Sequence, residues 1–210
     1  MQQTRGMPAD LSPDARLDRS GFAACGAILA LTLAQLVVLT FVPDLPQAEG
    51  KAFGARLLAY PVLMLIAPVA WAIAGRTRHG SSPLPWTAFA LIMAPFCIDV
   101  TGNTLDLYRS VAWWDDLNHF TNWLLLCSGL GLLMRHARMA PRWALAVTVT
   151  GAGAALAILW ELGEWYTFIR QSSELSTAYE DTLGDETLGT AGGAVAGVLV
   201  SLLGRRDHAP

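Results

Sequence analysis

Asp115 and His119 stand four residues apart, Asp181 and Asp185 likewise, and Glu161 and Glu164 three apart. On a helix each spacing puts both side chains on one face. Carboxylates and an imidazole delivered in pairs from several helices are how helical bundles hold divalent metals. Ionised carboxylates gathered together repel, so they need a cation or bound protons. Asp, Glu and His suit Zn²⁺, Mn²⁺ or Fe²⁺, and a mostly oxygen set also accepts Mg²⁺ or Ca²⁺. Asp115, His119, Glu161, Glu164, Asp181 and Asp185 are therefore the candidate metal ligands. Asp99, Asn103 and Asp106 share a helix face at i, i+4 and i+7. With Asp116, they are candidates to support the ligands from behind.

The elements that must position these residues are apolar. The chain has 210 residues, 53% hydrophobic and 15% charged, well below the charge of soluble domains. Six segments, about Gly21–Val42, Leu57–Ala74, Trp86–Leu105, Asp116–Met134, Trp143–Trp165 and Glu186–Leu203, are each long enough to cross a bilayer. Pro61 and Pro68 are expected to kink the second. The fold expected is all-α: a polytopic membrane helix bundle of six transmembrane helices. Residues 1–20 and 204–210 read as cytoplasmic tails around a transmembrane domain at 21–203.

Charge sets the orientation. Ten of the 14 Lys and Arg fall in the tails and in the loops after spans two and four. The positive-inside rule therefore puts both termini in the cytoplasm of a bacterial inner membrane. Thirteen of the 17 acids fall at the opposite level. Alternating topology brings the ends of spans three and five and the starts of four and six together outside. Asp99 lies thirteen residues into span three, about 20 Å along the helix. Acids at such depth persist when paired, ion-bound or lining a wet cavity. Asp115 or Asp116 could instead cap a helix, and Asp181 and Asp185 could belong to a loop and a cap.

Other functions are excluded by composition. A net charge of -3 makes no case for nucleic-acid binding. Cys25, Cys97 and Cys127 sit inside apolar runs, as buried apolar side chains, not a disulfide framework or zinc cluster. Gly129, Gly131, Gly151, Gly153, Gly189, Gly193 and Gly197 read as close helix contacts, since no phosphate-loop pattern surrounds them.

Three motifs carry a resemblance. Asp115-Asp116-Leu117-Asn118-His119-Phe120, Glu161-Leu162-Gly163-Glu164-Trp165 and Asp181-Thr182-Leu183-Gly184-Asp185 are similar in order and spacing to motifs of the YjdF-like bacterial inner-membrane proteins. The likeness spans about residues 95–203. The Gly-Asp pair expected before the third motif is Tyr179-Glu180 here. The resemblance implies the fold and the grouping of acids, and no reaction.

Two classes of function stay open. In one, a metal-dependent hydrolase acts on a lipid or lipid-linked substrate entering sideways from the bilayer. In the other, the same acidic cavity serves a non-catalytic membrane subunit or an ion-binding or transport protein, with Asp99 as its deepest site. The inner halves of the spans are mostly apolar and no internal repeat is evident, which disfavours transport.

Overall fold

The protein is described by a computed structural model covering residues 13–42, 44–78, 84–137, 141–167 and 169–203. Seven α-helices occur among these residues: α1 (Pro13–Phe41), α2 (Phe53–Arg78), α3 (Trp86–Thr104), α4 (Leu107–Ser110), α5 (Trp114–His136), α6 (Arg142–Thr167) and α7 (Ala178–Leu202). No strand occurs among them. The segments read as tails at residues 1–12 and 204–210 lie outside the described residues, whereas α1 takes in Pro13–Ser20. Pro61 and Pro68 both lie inside α2.

Two apolar clusters organise the bundle. Leu36 of α1, Tyr60 and Met64 of α2, and Phe89, Phe96 and Val100 of α3 form one. Trp123 and Cys127 of α5, Val149 and Ala157 of α6, and Ala196 and Val200 of α7 form the other. α3 packed on α5 joins them, and the most extensive contacts are those of α7 with α5 and α6. The Trp160 ring of α6 reaches across to the first cluster, 6.1 Å from Tyr60 and 6.4 Å from Phe96 between ring centroids.

The glycines show why α6 and α7 approach so closely. A Cβ on Gly197 would stand 2.6 Å from the Ala146 carbonyl oxygen, and one on Gly153 3.2 Å from the Gly193 Cα. Backbone meets backbone there, so any side chain would force the helices apart. Gly151 differs from the other singled-out glycines, with nothing near its would-be Cβ. Gly192, against the Phe120 carbonyl, is a further close contact that the sequence pattern left unmarked.

The outside of the bundle is apolar. Leu58 is 77% exposed and Phe41 72%, and Val62, Ile66, Ile73, Val147, Leu159 and Leu162 also face outward. Water-soluble monomers seldom expose apolar patches of this extent. Among the described residues three stretches, Arg19–Phe41, Phe53–Ala74 and Arg142–Gln171, are long and apolar enough to cross a membrane. The buried polar side chains among the described residues gather elsewhere: apart from Thr32, they are Asn103, Asn118, Glu161 and Asp185, near one end of the bundle.

Candidate metal centre and its cavity

The end of α3, the start of α5, the end of α6 and the start of α7 meet around a cavity of about 650 Å³. α5 begins at Trp114, with Asp115 and Asp116 in its first turn, where carboxylates favour the exposed N–H groups and positive dipole end. No side chain caps that helix, so the first turn alone presents Asp115 and, one turn on, His119. α7 begins at Ala178 without a side-chain cap, so Asp181 and Asp185 stand one helical turn apart, not in a preceding loop.

Asp115, His119 and Asp185 each offer one ligand atom, all within 4.8 Å of one another. The Nε2 of His119 is 3.6 Å from an Asp115 oxygen and 3.4 Å from an Asp185 oxygen. Donors held about 2.1 Å from a zinc-sized ion in a tetrahedron stand about 3.4 Å from one another. The three residues therefore fit a divalent cation in both donor chemistry and spacing. The other ring nitrogen, Nδ1, faces Glu161 Oε1 at 4.0 Å. Glu161 is buried, and Thr182 of α7 donates a hydrogen bond of 3.2 Å to its Oε2. Glu161 thus stands on the Nδ1 side of the imidazole, the side from which outer carboxylates act on ligating histidines, at 4.0 Å and beyond hydrogen-bond distance.

Asp99 belongs to a second constellation across the cavity. Its carboxylate accepts hydrogen bonds from Arg56 (2.7 Å), Tyr60 (2.6 Å), Tyr108 (2.8 Å) and Asn103 (3.3 Å). Asn103 and Tyr108 both bind it. Lys51 donates to the Asn103 side-chain oxygen at 2.8 Å and lies over the Tyr108 ring. Asn118 of α5 donates to the Tyr108 hydroxyl, and Asn122 donates to Asn118 at 3.0 Å. This ladder connects the helix that carries His119 to the helix that carries Asp99. Burial beside Asp99 pushes the Tyr108 phenol well above its usual range, so it stays protonated and able to donate. Glu164 lies 3.8 Å from Arg56, on this side of the cavity.

The remaining candidates are placed apart. Asp181 lines the cavity and is exposed at its edge. Asp116 is exposed and does not line it. Asp106 also lies off the lining and binds Arg109 at 2.7 Å, which holds its carboxyl below the usual range. Lys51, Arg56, Tyr60, Tyr108 and Asn118 were absent from the sequence-based set. Arg56 had a readable signal, because it directly precedes the second apolar run, at the level where the acid-bearing helix ends meet.

The family model described as "Predicted membrane protein (DUF2238)" matches residues 25–206. The chain is a member of this DUF2238 family. The YjdF-like proteins are the same family, so the resemblance read from the three motifs holds. The DUF2238 match runs from within α1 past the end of α7, so both sides of the cavity lie inside it. No curated protein and no solved structure matches the chain.

Proposed function

We propose that this DUF2238 protein is a six-span protein of the bacterial inner membrane with both termini cytoplasmic. Its outward cavity binds one divalent cation, Zn²⁺, Mn²⁺, Fe²⁺ or Mg²⁺, and hydrolyses a lipid or lipid-linked substrate. The observation that supports this best is the spacing of donors around His119 Nε2, 3.4 and 3.6 Å, in a wall of the cavity. The apolar exterior and the excess of Arg on the inner side support the membrane setting.

A divalent cation held by Asp115, His119 and Asp185 would polarise a substrate oxygen and acidify a water. The two aspartates would neutralise its charge and His119 would offer Nε2, with Glu161 on the Nδ1 side of the ring. Asp181, on the cavity wall and exposed, is the carboxylate available to take up a proton. Asp99 has four donors and so suits a structural or positioning role, which disfavours an ion path through it.

The deciding measurement is metal content by plasma mass spectrometry on detergent-purified protein, beside His119→Ala and Asp185→Asn. About one equivalent per chain is expected from the Asp115–His119–Asp185 donor set, lost in both variants. No metal after loading with each of the four ions would overturn the reading. Metal whose loss unfolds the protein would make the ion structural and favour a non-catalytic subunit.

A further inference from the structure

His119 and its neighbour Asn118 stand on different sides of α5, because successive residues of a helix are about 100° apart. His119 faces Glu161 of α6 and Asp185 of α7. Asn118 is buried and faces α4, where its side-chain amide donates to the Tyr108 hydroxyl. Asn122, one turn further on, donates to the Asn118 side-chain oxygen at 3.0 Å.

These bonds run in one direction. Asp99 is paired with Arg56 at 2.7 Å, and a carboxylate in that state only accepts. Tyr108 therefore gives its single proton to Asp99, 2.8 Å away, and its oxygen is left to accept. Asn118 turns its NH₂ to that oxygen and its carbonyl to Asn122. The ion pair thus decides which way round two amides of α5 stand. Apolar side chains at these positions could pack the helices as closely. A buried polar contact instead selects one arrangement, as single buried asparagines do for register in coiled coils.

The separation of α5 from α7 is set elsewhere. Gly192 lies against the Phe120 carbonyl, and a Cβ on Gly189 would stand 2.7 Å from the Trp123 ring. Such contacts fix how near the two helices lie, and the bonds of Asn118 on another face fix rotation. Turning α5 by about 20° would move an atom ~6 Å from its axis by about 2 Å. Coordination distances tolerate only about 0.2 Å.

We propose that Tyr108 and Asn118 are positioning residues of the metal centre. Anchored on the Arg56–Asp99 pair, they lock the rotation of α5 at which Asp115 and His119 meet Asp185. This rests on the metal-binding part of the proposed function and not on hydrolysis.

The test uses full-length protein in detergent, with Co²⁺ as the probe because its visible absorption reports ligand geometry. Tyr108→Phe and Asn118→Leu are each expected to weaken Co²⁺ binding about tenfold, the lower end of what losing an outer partner does, and to shift the Co²⁺ spectrum. The double variant should lose no more than either single one, since both remove the same bond. Met64→Ala is the control: it empties fully buried space in the other cluster and lowers thermal stability. Its Co²⁺ affinity and spectrum should stay those of the unaltered protein. Losses that add in the double variant, or an equal loss in Met64→Ala, would overturn the positioning role. Unchanged Co²⁺ affinity and spectrum in both ladder variants would overturn it too, while sparing the metal. No Co²⁺ bound by the unaltered protein would sink the metal reading and the positioning role together.

Discussion

At the scale of residues, Glu161 is the informative carboxylate because it faces the far side of the His119 ring. Glu161→Gln keeps the shape but removes the carboxylate charge 4.0 Å from Nδ1. Metal affinity is expected to fall about 10–100-fold with the fold intact, the usual effect of removing such an outer partner. Calorimetric titration of metal-stripped protein checks this; unchanged affinity would place Glu161 outside the centre. Tyr108 carries a prediction about alkali. Its phenol is held protonated in the fold, whereas in the unfolded chain it ionises near pH 10. Above that pH the unfolded state binds fewer protons, so stability falls by up to about 1.4 kcal/mol per pH unit from this group. Tyr108→Phe should flatten that decline, read from thermal unfolding in detergent between neutral pH and pH ~11. The pairing of Asp115 with His119 was legible as an i, i+4 spacing. The bonds of Arg56 and Tyr60 to Asp99 were not, since those residues stand 43 and 39 positions away and no local pattern ties them to it.

At the scale of elements, α7 decides the site, because it brings Asp185 to His119 and Thr182 to Glu161. It can do so only because glycine lets its backbone lie against α6. Gly197→Val is expected to destabilise the protein by at least about 2 kcal/mol, since a side chain there overpacks against the Ala146 carbonyl. Gly151→Ala is the matched control: its Cβ meets nothing, and alanine gains up to about 1 kcal/mol of helix propensity. Urea or thermal unfolding of the pair would show opposite shifts; equal shifts would remove close packing as the reason. Of the six long helices, α3, α5 and α6 begin within two residues of where the apolar runs do and α2 one turn earlier, whereas α1 begins at Pro13, two turns before its run. α7 begins a full two turns before its apolar run, because Glu180, Asp181 and Asp185 mask the helix from a reading based on hydrophobicity. Only the spacing of the acids hinted at it.

At the scale of the molecule, the arrangement of charge predicts topology. A reporter active only outside the cytoplasm, inserted between α4 and α5, is expected to be active, and one fused to either terminus inactive. Activity at one terminus alone would make the number of crossings odd and break the common level assumed for the acid-bearing ends. What the sequence determined by itself was the helical class, the membrane setting and the gathering of acids at one end. Hydropathy over 20-residue runs and charge bias between loops are local sums that survive without knowledge of packing. The tertiary structure decided which acids face one another. It set Asp115, His119 and Asp185 together, put Glu161 on the Nδ1 side of the imidazole, and gave Asp99 to Arg56. Those outcomes depend on the rotation of each helix about its axis and on which neighbours it meets. Both are set by side-chain volume between helices distant in sequence, and a one-residue change of about 100° in facing would select a different set.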